Sequence, residues 1–380
     1  MSERKKVELF SFEGTHRKLG RTQGEKLREL IARSKDTLKE SVEFELLKPE
    51  WMPADIFIKM GEILSMVKYA PHMRNNYPEQ YRRLLGIARG ARVPAGFVML
   101  LSSFEIELNK VDFQLGGCSG AGISGARSAS GEPVIIKNFD YPEHFIDFHV
   151  TRLDAPKGRA KVLNVSSAPL AGSHEGVNEF GLSIAYNYGY GQDSSPHKVA
   201  ITTVVQEALE TCKYTGEAVD LIANSKRCGG AILMICDAGA DLRVLELSNA
   251  NSAVRFPEDG LLLMTNHYLD EKMAAIDVPP DAYYTQKTVP LLRGCRCRES
   301  SESRYARLEE LLGGKDTISE RDLVAAFSDH GPGGNPSDNT VCRHSDYFTT
   351  TCSVMIYPAR CAMKVMYGNP CSLEYDEFSI

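Results

Sequence analysis

The order in which two hydrophobic periods follow one another constrains this chain most. Leu27, Leu30, Ile31, Leu38, Val42 and Leu46 recur near helical spacing, and Ile56, Met60, Ile63, Leu64 and Val67 form a second such run. Tyr81, Leu84, Leu85 and Ile87 extend the pattern until Gly90 and Pro94 stop it, so residues 1 to about 110 read mainly as helix. From Cys118 the apolar residues fall instead into short runs separated by Gly, Pro, Asn and Asp clusters. Helices first, strands interrupted by helices afterwards, predict an α+β architecture with a largely antiparallel sheet. The change of character falls at Gly116-Gly117-Cys118-Ser119.

Within the second part, Pro133 to Asp140, Lys161 to Val165, Leu182 to Tyr188 and Ala231 to Cys236 carry the apolar, β-branched and aromatic content of strands. The Asp237-Ala238-Gly239-Ala240-Asp241 cluster turns Ile232–Cys236 back into Arg243–Leu247 as a hairpin. Helices are expected over Lys198–Cys212, Gly216–Asn224 and Ser303–Leu312. A further one is capped by Ser319 with Asp322 three residues later. Phe348 to Pro370 reads as two strands joined near Pro358-Ala359.

Composition narrows the function classes. A formal net charge of -6 leaves no electrostatic footprint for nucleic acid, and the one basic cluster, Arg293 to Arg298, is short and flanked by acids. No apolar run approaches the roughly 20 residues of a membrane helix. The charged start, Met1-Ser2-Glu3-Arg4, leads into no signal-peptide core, so cytoplasmic residence is the expectation. The ten cysteines are spread through a chain too long to need disulfide staples. Cys295 and Cys297 are too close for a zinc knuckle, and Cys342, Cys352, Cys361 and Cys371 read as small buried residues on adjacent strands, so no metal ligands are assigned.

The chemistry concentrates at Gly117-Cys118. A glycine carbonyl is sterically open and glycine tolerates strained dihedrals, so a neighbouring thiol can attack that carbon. An N-to-S acyl shift and hydrolysis would then free Cys118 as a new N-terminus. Its α-amine, with a reference pKa of about 8, can act as base for its own thiol. Taken alone, Gly-Gly-Cys reads first as a loop before a strand with a small buried thiol. Its company is Lys137-Asn138-Phe139-Asp140-Tyr141, Glu175-Gly176-Val177-Asn178-Glu179-Phe180-Gly181-Leu182, Met264-Thr265-Asn266-His267 and Ser303-Arg304-Tyr305.

These segments, in this order, resemble the N-terminal-nucleophile hydrolases of the choloylglycine hydrolase and acyl-CoA:6-aminopenicillanate acyltransferase families. Leu85-Gly86-Ile87-Ala88-Arg89-Gly90-Ala91, Cys342-Arg343-His344 and Gly368-Asn369-Pro370-Cys371 are similar to the acyltransferase branch. The resemblance implies a four-layer αββα sandwich preceded by a helical pro-segment, residues 1–117, that stays associated with the catalytic chain, residues 118–380. It implies cleavage between Gly117 and Cys118, Cys118 as nucleophile, Asp140 as partner of the new ammonium, and Asn266 and Asn178 as oxyanion donors. Arg304 then lines the nucleophile, and Lys137 stands where much of the wider family has Arg, a point charge in place of a planar fork. As a cation at a helix start, Arg304 opposes the dipole and needs an anionic or polar partner.

The activity so implied is hydrolysis or transfer of the acyl group of a small non-peptide N-acyl amide through a Cys118 thioester, with an amine or an acyl-CoA as conceivable co-substrate. No cofactor is expected, and homo-oligomerisation is left open. Three alternatives stand beside it: an unprocessed thiol hydrolase pairing Cys118 with His330 or His344, a catalytically inactive binding module on the same fold, and a metal protein built on Cys342, His344 and Cys352.

Overall fold

The central strands of the second part are buried along nearly their whole length, so one face of each can pack between two stacked sheets while the other is covered by helices. A computed structural model describes residues 6–104, 106, 116–345, 347–372 and 374–380. Its strands are β1 (Leu9–Gly14), β2 (Gly117–Ile123), β3 (Val134–Pro142), β4 (His149–Pro156), β5 (Val162–Ser167), β6 (Glu175–Asn178) and β7 (Ser183–Gly189). They continue with β8 (Gly230–Cys236), β9 (Leu242–Leu247), β10 (Ser252–Arg255), β11 (Leu261–Met264), β12 (Phe348–Tyr357), β13 (Ala362–Tyr367) and β14 (Asp376–Ser379). One sheet runs β1-β4-β5-β6-β7-β8-β9-β10 and the other β11-β2-β3-β12-β13-β14.

Three cores define four layers. Ile135 and Phe139 from one sheet meet Leu163, Val165, Val177 and Met234 from the other, and Cys118 lies in this inter-sheet core. The outer face of the larger sheet is covered by helices Ile201–Thr211 and Thr215–Ala223 through Ile184, Val204, Val205 and Leu233. Helices Glu299–Leu312 and Glu320–Phe327 cover the other sheet through Ile136, Leu308, Leu312 and Phe327. The expected αββα sandwich is therefore present, and its pairing is antiparallel apart from the parallel β1–β4 edge.

That edge was not anticipated. Residues 1 to about 110 read mainly as helix, yet β1 is a strand of the larger sheet, so the N-terminal segment contributes to the sandwich as well as covering it. Its helices include His16–Lys26, Arg28–Glu40, Ala54–Lys68, Pro78–Ala91 and Ala95–Ser102. Residues 107–115, the expected end of the helical stretch, lie outside the described residues. Arg83 ties the segment down: both its terminal nitrogens donate to the Asp154 carboxylate on β4 at 2.9 Å, and both groups are fully buried. Gln23 completes the junction by accepting from Arg83 and donating to the Ala168 and Leu170 carbonyls.

Helix Ala54–Lys68 exists as its spacing suggests, but its face is reversed. Ile56, Met60, Ile63, Leu64 and Val67 are exposed, while Ile58, Glu62 and Ser65 are buried. Inward packing there depends on small residues: a side chain at Gly96 would meet the Glu62 carbonyl at 2.7 Å. No helix among the described residues is long and apolar enough to cross a membrane.

Helices His16–Lys26 and Pro78–Ala91 cross through Gly20 and Gly24 on one and Gly86 and Gly90 on the other. A Cβ at Gly24 would sit 2.7 Å from the Ala91 nitrogen and closer still to the Ile87 carbonyl. Helix propensity alone favours Gly24→Ala by up to about 1 kcal/mol. Overpacking of a rigid backbone crossing costs about 1–3 kcal/mol and wins. Gly24→Ala should therefore lower the thermal midpoint followed by circular dichroism; an unchanged or higher midpoint would mean the helices separate freely.

Candidate active site

β2 and β3 pair so that Gly117 faces Asp140, Cys118 faces Phe139 and Gly120 faces Lys137. Because side chains alternate, Cys118 and Lys137 both point between the sheets, as do Ile135 and Phe139. Cys118 is 2% exposed. Burial pushes its thiol up to about 11, with the Lys137 charge working against that rise and the Asp140 and Glu175 carboxylates adding to it. At neutral pH it is a thiol and needs a base to become a nucleophile.

The backbone around Cys118 is held by two side chains from distant elements. Its N–H donates to Asn266 Oδ1 at 2.8 Å. Arg304 Nη1 donates to the Cys118 carbonyl at 2.5 Å and to Ser119 Oγ at 2.8 Å, and Arg304 Nη2 donates to Asn266 Oδ1 at 2.9 Å. Burial, followed by repulsion from Arg343, brings the Arg304 guanidinium down to about 10, so it stays charged at neutral pH. The helix that carries it begins at Glu299 and not Ser303, which places Arg304 in the second turn. The dipole conflict expected at a helix start does not arise, because the effect fades within the first turn.

Asn266 sits in a turn that is itself anchored. Its backbone N–H donates to Ser301 Oγ at 2.8 Å, and His267 Nδ1 lies 2.8 Å from the same hydroxyl. Burial holds His267 down at about 3, so its imidazole is neutral. Asn266 Nδ2 donates one hydrogen to the Tyr188 carbonyl at 2.9 Å. A primary amide carries a second. Asn187 on β7, not singled out from sequence, braces this turn by donating to the Thr265 carbonyl at 3.0 Å.

Asp140 is fully buried. Thr350 donates to its Oδ1 at 2.8 Å, while Arg343 Nη1 stands 3.8 Å from its Oδ2. Asp140 Oδ2 and Arg343 Nε and Nη1 have no hydrogen-bond partner among the described residues. Burial raises the Asp140 carboxyl above its ordinary value, and Arg343 and Arg304 work against that rise. Arg343, the middle residue of Cys342-Arg343-His344, is brought to Asp140 by the fold and not by any spacing in the sequence. Gly117 is a glycine because a side chain there would collide with Arg343 and reach 3.0 Å from Arg304 Nη2. Close approach, and not a positive φ, is the reason for it.

Lys137 does not reach Asp140. Its ammonium crosses to the other sheet and meets Glu175 Oε2 at 2.6 Å, with both groups buried, and lies 4.3 Å above the Phe139 ring. Burial opposes its charge, but Glu175 overcomes this and holds Lys137 above its ordinary value. Glu175 opens β6, the strand that ends at Asn178, so this segment bears on the site through Glu175.

Asn178 is not brought to this cluster. Val177 faces the inter-sheet core, so Asn178 faces the helical layer. Its amide donates to the Leu209 and Cys212 carbonyls at 2.9 and 2.8 Å, and its oxygen accepts from the Phe180 and Leu182 N–H groups. It forms the turn and closes the end of a helix. His330 and His344 gather with Cys342 and Cys371, and His344 Nε2 lies 3.3 Å and 3.2 Å from those two sulfurs. Cys352 lies instead in the inter-sheet core.

An apolar cavity opens next to Phe139, between β3 and the N-terminal helices. Leu38, Leu101, Phe139, Phe145, Phe148 and His174 are among the residues that line it. His174 also lies edge-on to Phe139, with ring centroids 5.1 Å apart. Cys118 does not itself line the cavity, but its register partner Phe139 does, and the apolar lining suits an apolar group.

No curated protein matches the chain. Among solved structures it is similar to the Caenorhabditis elegans ortholog of N-acylethanolamine-hydrolyzing acid amidase, at 14% identity over 64% of this chain and 93% of that one, with a TM-score of 0.42. A mutant of the conjugated bile acid hydrolase from Clostridium perfringens shares 12% identity over 69% of this chain and 97% of that one, with a TM-score of 0.41. Penicillin V acylase from Agrobacterium tumefaciens shares 14% identity over 70% and 77%, with a TM-score of 0.37. The family model for acyl-coenzyme A:6-aminopenicillanic acid acyl-transferase matches residues 127–372, beginning just after Cys118. With that match running over well more than half of its length, the chain belongs to the acyl-coenzyme A:6-aminopenicillanic acid acyl-transferase family and is an enzyme of the amide-hydrolase and N-acyltransferase class.

Proposed function

We propose that the chain cleaves its own Gly117–Cys118 bond, and that the freed Cys118 then hydrolyses or transfers the acyl group of a small N-acyl amide. The observation that carries this reading is the buried Asp140 Oδ2, without a hydrogen-bond partner among the described residues, on the register partner of Gly117. Arg343 faces this oxygen from 3.8 Å without donating to it; a buried carboxylate oxygen is costly to leave without a hydrogen bond, and a newly formed ammonium on Cys118 is a group that would supply one.

In the first reaction Cys118 Sγ adds to the Gly117 carbonyl carbon. The carbon–nitrogen bond breaks, the nitrogen takes up a proton, and a Gly117 thioester remains until water releases the Gly117 carboxylate. In the second, the Cys118 α-amine removes the thiol proton, the thiolate adds to the substrate amide, and the amine leaves protonated. Water or a second amine then takes the acyl group from the thioester. The second hydrogen of Asn266 Nδ2 is the candidate oxyanion donor, Arg304 holds the Cys118 backbone, and Lys137 lowers the cost of the thiolate across the inter-sheet space. Asn178 takes no part in this scheme.

The apolar cavity would receive the acyl chain, and the N-terminal segment would remain bound after cleavage through Arg83–Asp154 and β1. Because helices of that segment form one wall of the cavity, acyl preference would belong to both pieces. An acyl-coenzyme A donor or an amine acceptor is compatible as co-substrate, and the apolar lining favours the acyl part as the recognised group.

N-terminal sequencing of purified active protein should find a new terminus at Cys118, and Cys118→Ala should leave an intact, inactive chain. One species of 42.1 kDa with full activity would refute the self-processing scheme. Asn266→Ala should slow turnover of an N-acyl amide by about 100- to 1000-fold; an unchanged kcat would remove Asn266 from the oxyanion site. For Lys137, the single change Lys137→Met strands a buried Glu175 and should cost about 3–5 kcal/mol in denaturant unfolding. Lys137→Met combined with Glu175→Met should recover most of that stability while turnover stays low. Turnover returning with stability would make the pair purely structural.

A further inference from the structure

Four soft or borderline donors meet at the end of the smaller sheet, and none of them takes part in the reaction proposed for Cys118. His330 follows helix Glu320–Phe327, Cys342 and His344 precede β12, and Cys371 lies in the turn after β13. One donor atom from each lies within 4.8 Å of all the others. We propose that His330, Cys342, His344 and Cys371 form a structural zinc site.

Geometry supports this first. His344 Nε2 lies 3.3 Å from Cys342 Sγ and 3.2 Å from Cys371 Sγ. A tetrahedral ion with ordinary Zn–S and Zn–N lengths sets its nitrogen and sulfur ligands about 3.6 Å apart, so small side-chain movements suffice. A second, independent observation is that His330 Nε2 is buried with no hydrogen-bond partner among the described residues. The His330 and His344 rings stand edge to face with centroids 5.0 Å apart.

The donor chemistry selects the ion. Two thiolates and two neutral imidazoles suit zinc and disfavour magnesium or calcium, which take oxygen ligands. Binding expels one proton from each thiol, and the two thiolate charges balance the dication. Four protein ligands leave no open position, which is the pattern of a structural and not a catalytic site.

The segments bearing the donors are already held without the ion. Arg307 grips the Asp329 carboxylate at 2.8 and 2.9 Å, and the Cys342 N–H donates to the Asp329 carbonyl at 3.0 Å. Asn369 Nδ2 donates to the Arg343 carbonyl at 2.8 Å, joining the Cys371 turn to the Cys342–His344 stretch. Arg343, between two of the ligands, is the residue that faces Asp140 and fills the space beside Gly117. The ion would fix the loop that positions it.

The test uses the full chain, purified without chelator and reconstituted under reducing conditions with zinc alone. Elemental analysis should find one equivalent per chain, and cobalt(II) in its place should give tetrahedral d–d absorption with a thiolate charge-transfer band. Added zinc should raise the thermal midpoint. His330→Ala and Cys371→Ser should each lose the bound equivalent and the zinc-dependent shift. Should either fold poorly, His330→Cys should keep the equivalent and strengthen the charge-transfer band, because it adds a third thiolate. Failure of reconstituted protein to bind zinc, retention of the equivalent by both loss variants, or a Cys342–Cys371 disulfide in protein isolated without reductant would overturn the proposal. None of these readouts depends on Cys118 or on cleavage.

Discussion

Arg304 carries a positive charge into a place that water does not reach, and the ordering of the Cys118 region depends on what it finds there. Its guanidinium meets the Cys118 carbonyl, the Ser119 hydroxyl and the Asn266 side chain, which in turn accepts from the Cys118 N–H. Removing a buried cation from its partners, or the partners from it, costs several kcal/mol, so one arrangement is strongly preferred. A helix of the outer layer thereby fixes the backbone of a strand beneath it. The side chain of Cys118 is left to point the other way, into the space between the sheets.

That division explains why two faces of one strand can serve two purposes. Toward the outer layer, Gly117 gives room to Arg304 and Arg343, and Asp140 stands beside it with one oxygen that faces Arg343 but accepts no hydrogen bond among the described residues. Toward the inner layer, the thiol shares a low-dielectric space with the Lys137–Glu175 pair and the Phe139 ring. Backbone positioning and thiol electrostatics are therefore controlled from opposite sides of β2. Neither could be moved far without breaking the ladder that links Cys118 to Phe139.

The N-terminal segment belongs to the same construction. β1 extends the larger sheet, the glycine crossing brings two helices into backbone contact, and Arg83 reaches Asp154 with both terminal nitrogens. These contacts place helices of the segment over the apolar cavity beside Phe139. The cavity is consequently shared between parts of the chain on either side of Gly117–Cys118.

Much of the fold was legible along the chain because it rests on local periodicity. The helical first part, the hairpin at Asp237–Asp241, the capped helix at Ser319 and the final pair of strands all follow from spacing and turn chemistry. The order of Cys118, Asp140, Asn266 and Arg304 was likewise readable, since each sits in a short recognisable segment. What only the tertiary structure decided were the pairings between residues far apart in sequence. Lys137 pairs with Glu175 and not with Asp140; Arg343 faces Asp140; Asn178 turns away to close a helix; Cys371 and His330, and not Cys352, join Cys342 and His344. The physical reason is common to all of them. Periodicity determines which face of its own element a side chain occupies, but its partner across the inter-sheet space or the outer layer is set by how those layers stack.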